Sequence, residues 1–225
     1  MFYLFLLAHL IADFVLQPLW LVLRKKRWDG LCMHGGVVLG WMLLIPLVEP
    51  RALGLWPAML AITVIHIGAD RWKVKYADKI IRPPVVPFLL DQVIHVTTLA
   101  VVLSFALPVE QVWSLQSTPA ALPALYASIY IIAAFATPIG VMVWLDPIFS
   151  HAILAAKART RSFVAGTAIT SLALFGGSLA LPATLIGLAV ATQRPRSLHP
   201  LDRPLGLMVV ACVAALLGAV MTVVL

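Results

Sequence analysis

Apolar stretches about as long as a bilayer is thick recur along this sequence, at residues 2–22, 31–48, 53–67, 86–107, 121–145, 163–192 and 205–225. A helix rises about 1.5 Å per residue, so about 20 apolar residues cross a hydrocarbon core of about 30 Å. Every run except the sixth fits a single crossing, allowing for short polar-ended spans. Hydrophobic residues make up 62% of the chain and charged residues 11%, with a mean hydropathy of +1.03, far from the composition of a soluble domain. The expected fold is all-α: a polytopic transmembrane helix bundle of about six to eight membrane segments.

The formal charge of +7 fits topology better than nucleic-acid binding, because the basic residues sit in short clusters beside apolar runs. Arg24, Lys25, Lys26 and Arg27 follow the first run; Arg71, Lys73, Lys75, Lys79 and Arg82 follow the third; Lys157, Arg159 and Arg161 follow the fifth. Between them the loops hold only one basic residue, Arg51. The positive-inside rule then puts the amino terminus outside and the basic loops in the cytoplasm of a bacterial inner membrane, where the chain is multi-pass. The first run lacks a preceding basic residue and carries His9 and Asp13, so it is expected to be retained rather than cleaved as a signal peptide. Residues 163–192 would make one helix of about 45 Å; Gly176, Gly177 and Pro182 suggest a broken hairpin or a re-entrant pair that returns Arg194, Arg196 and Arg203 to the cytoplasmic side. Cys32 and Cys212 fall in apolar segments without metal-type spacing and are expected to be inert packing residues.

Inside these runs lie His9, Asp13, His34, His66, Asp70, Asp91 and His95. An ionised carboxylate near a bilayer centre costs about 3 kcal/mol on insertion scales, so Asp13, Asp70 and Asp91 need partners, protons or water. His9, Asp13 and Gln17 follow one another at i, i+4 and share a helix face; His66, Asp70 and Lys73 repeat the arrangement, Asp91 and His95 reverse it, and His34 opens the second helix beside Gly35 and Gly36. Counted from the cytoplasmic edge, most of these groups fall within about 15 Å of it. Four helices can therefore pool them in one cavity. Between His95 and Asp146 the only charged residue is Glu110, which divides the chain into residues 1–107, carrying the cluster, and an apolar remainder, 108–225, within one continuous bundle.

Imidazole and carboxylate together suit a divalent metal, zinc foremost, with manganese or iron as alternatives. Seven candidate ligands exceed one ion's needs, so either two ions bind or some carboxylates sit behind the ligands. Asp13, Asp70 and Asp91 are also the candidate general bases for water activated at a metal. Gln17, Lys73 and Gln92 border the cluster and are the candidates for substrate binding. Lys73 could instead snorkel or pair with Asp70, and the glutamines could join helices by hydrogen bonds. The function these features favour is a membrane-embedded, metal-dependent hydrolase acting from the cytoplasmic side on a lipid or lipid-linked substrate. A metal-ion or proton transporter, and a metal-stabilised scaffold or regulatory protein, are the alternatives. Membrane lipids are the expected partners, nucleic acid is not, and nothing fixes the oligomeric state. Asp146 and His151 beside a basic loop look interfacial, His199 looks like a loop residue, and Trp20, Trp28, Trp72 and Trp144 fit an interfacial aromatic belt.

The segments LLAHLIADFVLQP, HIGADRWK and FLLDQVIH, in that order, resemble a bacterial family of integral membrane proteins catalogued as domain of unknown function 3307. The resemblance covers roughly residues 1–105. It implies that the family's recurrent polar positions correspond to His9, Asp13, Gln17, His66, Asp70, Lys73, Asp91, Gln92 and His95, and it implies no reaction.

Overall fold

The structure is a computed structural model that describes residues 1–147, 155–177, 182, 184–186, 189 and 199–224. Among the described residues it is helical without strands, and it divides into two compact units, Met1–Ser128 and Ile129–Leu225. The unit that carries the cluster thus extends past residue 107.

In the first unit, α1 (Phe2–Leu10) runs into a π-helical turn, Ile11–Val15. There the amide of Leu16 donates to the carbonyl of Ile11 at 2.9 Å. The helix stops because Pro18 has no N–H to continue the ladder. The chain restarts as α2 (Leu19–Arg24), turns, and forms α3 (Trp28–Leu43). Residues 2–22 are therefore two helices rather than one, and Phe2–Val15 is too short to cross alone. After 3-10 turns at Ile45–Leu47 and Pro50–Leu55 comes α4 (Trp56–Trp72), which continues through a π-helical turn, Lys73–Ala77, to Ile80. Nothing breaks this helix before Pro83, so Arg71, Lys73, Lys75 and Lys79 ride on it instead of forming a loop. Then follow α5 (Val85–Ala106), the short α6 (Val109–Trp113) and α7 (Ala121–Leu145), within which the unit boundary falls.

Phe5, Leu31, Val38, Met42, Met59, Ile62, Leu99 and Leu103 are buried between these helices, while Val64, Val93 and Phe105 stay exposed, Phe105 at 90%. Outward apolar side chains on this scale fit lipid, not water. One end of the unit is tied by Arg51, which donates to the carbonyl of Ser117 and the carboxylate of Glu49. That guanidinium, with Thr118 second, pulls the Glu49 carboxyl down to about 2. The other end holds the α2–α3 turn, where Arg71 donates to the carbonyl of Lys26 at 3.3 Å and lies 5.0 Å over the ring of Trp28.

In the second unit the end of α7, with its own π-helical turn at Ile132–Ala136, packs with α8 (Ala155–Phe175) and α9 (Pro204–Val224). Tyr130 and Ser171 share a hydrogen bond of 2.7 Å, and Arg161 Nε donates to Asp202 Oδ1 at 2.9 Å. Asp146, just past the end of α7, and His199, at a 3-10 turn, are both buried, His199 Nδ1 accepting from the amide of Leu201. Helix α8 ends at Phe175 and Gly177 takes a left-handed φ of 51°, which glycine alone adopts without strain. Residues 178–181, 183, 187–188 and 190–198 of the expected hairpin, Arg194 and Arg196 among them, lie outside the described residues, as does His151. Cys32 and Cys212 are free and exposed instead of packed inside, and Trp20, Trp28, Trp72 and Trp144 are exposed as a belt requires.

Across the two units five helices are long and apolar enough to cross a membrane: Trp28–Leu47, Pro50–Ile80, Val85–Ala106, Ala121–Leu145 and Pro204–Thr222. The chain is a polytopic helical membrane protein.

Gly30 fixes the α2–α3 turn, because a Cβ there would collide with the backbone carbonyl of Arg24. Gly30→Ala is expected to cost about 1–3 kcal/mol through overpacking against rigid backbone. Gly36→Ala, which meets nothing within 4 Å, should leave stability unchanged or raise it by up to about 1 kcal/mol through helix propensity. Denaturant unfolding in detergent checks both.

Candidate metal centre

His9, Asp13, His34, His66, Asp70, Asp91 and His95 are all buried, none more than 6% exposed. They come from α1 and its π-helical turn, α3, α4 and α5. The π-helical turn carries Asp13, and such turns often mark functional sites. Gly35 lets α3 approach α4 closely, a Cβ there falling 2.5 Å from Ile67 Cδ1, and this close approach sets His34 against His66.

The centre of the cluster is a meeting of acceptor and ring-nitrogen atoms. His34 Nε2 lies 2.9 Å from His66 Nε2 and 3.1 Å from Asp13 Oδ1, and His66 Nε2 lies 3.6 Å from Asp13 Oδ1. Asp70 Oδ2 stands 3.7 Å from the first nitrogen and 3.6 Å from the second. Ligands held at 2.0–2.1 Å around a tetrahedral ion stand about 3.3–3.4 Å from one another. The measured separations bracket that value. The amide nitrogen of Gln17 donates to His34 Nδ1 at 3.0 Å and holds the ring in place against the cluster.

The acids are held by lysines. Lys25 Nζ is 2.8 Å from Asp70 Oδ2, and Lys73 Nζ donates to Asp91 Oδ2 at 2.9 Å. Lys73 therefore pairs with Asp91, across on α5, and not with Asp70 on its own helix. Gln92 donates to Asp91 Oδ2 at 3.3 Å and Asp13 Oδ2 at 3.5 Å. With neutral imidazoles, three carboxylates against two ammonium groups leave one negative charge without a partner in the buried cluster. A divalent cation suits that charge.

All the predicted site residues meet here, Gln17 by a different route from the one its spacing implied. It lies beyond the helix end, in the break before Pro18, and reaches His34 from there. Gln17, Lys73 and Gln92 are half-buried and edge the buried groups. Lys25 was not legible as a site residue: within a run of four basic residues it reads as a topology signal, yet its side chain is only 8% exposed. The one clue was that the run follows directly on an acid-bearing apolar stretch.

Residues 1–122 match a family model described as "Protein of unknown function (DUF3307)". The chain belongs to this family. No curated protein and no solved structure matches it. The family match covers every residue of the cluster and ends before the second unit.

Breaking a buried ion pair strands its partner, at a cost of about 3–5 kcal/mol. Lys25→Met is expected to destabilise the metal-free protein by that amount, and Lys25→Met with Asp70→Asn to recover most of it. Thermal unfolding in detergent with chelator present measures both.

Proposed function

We propose that this protein is a membrane-embedded, metal-dependent hydrolase that acts on a lipid or lipid-linked substrate from the cytoplasmic side of a bacterial inner membrane. The observation that carries the reading is the gathering of His34 Nε2, His66 Nε2 and Asp13 Oδ1 at 2.9–3.6 Å beside a fourth donor, Asp70 Oδ2. Two imidazoles and a carboxylate are the ligand chemistry of a catalytic zinc, with manganese or iron as substitutes. A structural zinc knot would more often use cysteine, and both cysteines are exposed elsewhere.

His34, His66 and Asp13 would hold such an ion, with Asp70 beside it. An ion there supplies the acidity that turns water into a nucleophile near neutral pH. Asp70, oriented by Lys25, takes the proton. Asp91, held by Lys73, is the second carboxylate in reach of the same space. Gln17, Lys73 and Gln92, half-buried at the edge of the cluster, are placed to hold the substrate's polar head, and the exposed apolar helix faces are placed to hold its chains. The basic clusters beside the cluster's end of the unit support a cytoplasmic opening and an external amino terminus.

Protein purified in detergent without chelator is expected to carry zinc, manganese or iron by elemental analysis. His34→Ala and Asp13→Asn should lower that content. Asp70→Asn should keep the ion bound beside His34 and His66 and lower hydrolysis of ester and phosphoester lipids in mixed micelles by about 10²–10⁴-fold, the usual contribution of a general base. A protein that binds none of these metals, or ion-free variants that hydrolyse as well as the parent, would refute the reading.

A further inference from the structure

A first ion between His34, His66 and Asp13 leaves part of the cluster unanswered. His9 Nε2, His95 Nε2 and Asp91 Oδ1 are buried and have no hydrogen-bond partner. Leaving such groups unpaired costs about 1–3 kcal/mol each. For His95 the tautomer is set by its own helix: Nδ1 lies 2.7 Å from the backbone carbonyl of Asp91, one turn earlier, and must donate to it. His95 Nε2 is therefore a lone pair. Asp91 Oδ1 is an acceptor too, since Lys73 and Gln92 both donate to the other oxygen, Oδ2. Asp70, Asp91 and His95 each offer a ligand atom within 4.8 Å of the others. The ring of His95 lies 3.9 Å from that of His66 and stacks at 5.2 Å on that of His9. Acceptors converge there, and among the described residues no protein donor reaches His95 Nε2 or Asp91 Oδ1. One water has only two hydrogens for them and carries no charge; a cation serves them all.

We infer that the cluster holds a second divalent ion, bound by Asp91 and His95, with Asp70 standing between the two positions and His9 beside them. Asp70 is within 4.8 Å ligand spacing of His34 and His66 as well as of Asp91 and His95, which places the proposed base within reach of a water held between the two positions. Two-ion sites of this type space their metals about 3.5–4 Å apart and clamp the attacking and leaving oxygens of a displacement. The inference rests on the proposed function and deepens it. Two dications with three carboxylates and two lysines leave three positive charges, so among esters, amides and phosphoesters the site fits an anionic phosphoester.

The test is metal stoichiometry on the full chain in detergent. The protein is loaded with Mn²⁺ alone, cleared of free ion, and read by elemental analysis and electron paramagnetic resonance. The expected parent ratio is two ions per chain with an exchange-coupled signal, falling to one ion with an uncoupled six-line signal in His95→Ala and in Asp91→Asn. His95→Gln, which keeps a polar side chain of similar reach, guards against a variant that fails to fold, and helical circular dichroism confirms each fold. A parent ratio of one, with His95→Ala without effect, overturns the second ion and leaves the proposed function standing. A ratio of zero overturns both. Inorganic phosphate should alter the coupled signal, and a signal indifferent to phosphate overturns the phosphoester assignment.

Discussion

Ionised carboxylates cannot stay alone in an apolar bundle, and the first unit is organised around that constraint. Asp13, Asp70 and Asp91 sit on three different elements, and each needs a cationic or hydrogen-bonding partner from another. Lys25 reaches Asp70 from the turn after α2, Lys73 reaches Asp91 from the end of α4, and His34 reaches Asp13 from α3. The partners cross between helices, so the same contacts that neutralise the acids also fix how α1, α3, α4 and α5 pack. The compensation is incomplete by one charge and by several unpaired acceptors, and the proposed metal chemistry occupies that shortfall.

Local departures from regular helix serve this arrangement. The π-helical turn at Ile11–Val15 presents Asp13, and the break at Pro18 frees Gln17 to reach His34. A second π-helical turn begins at Lys73, which reaches Asp91 on α5. Gly30 and Gly35 supply the close backbone approaches that bring Lys25 and His34 inward. A straight helix at either π-helical turn would keep the apolar packing and change which polar groups meet.

Much of this was readable from the chain. Apolar length gives the helices, and i, i+4 spacing gives the histidine and aspartate pairs, because both follow from the pitch of a helix. The exceptions arise where that pitch fails. Gln17 was placed on the face of His9 and Asp13, but Pro18 ends the helix before it; for Lys73 substrate binding, snorkelling and a pair with Asp70 were all open, and its partner proves to be Asp91 on a neighbouring helix. Lys25 escaped because one basic residue among four carries no sign of burial, which depends on where the chain turns. The burial of Asp146 and His199 was not legible for the same reason: it comes from tertiary packing that spacing does not encode.

X-ray absorption at the metal edge of the zinc-loaded protein addresses the central claim most directly. An ion shared by these groups predicts a coordination sphere of nitrogen and oxygen only, at about 2.0–2.2 Å, with the outer-shell scattering of at least two imidazoles that drops when His34 or His66 is replaced. A sphere containing sulfur, or one of oxygen alone that ignores both replacements, would contradict it.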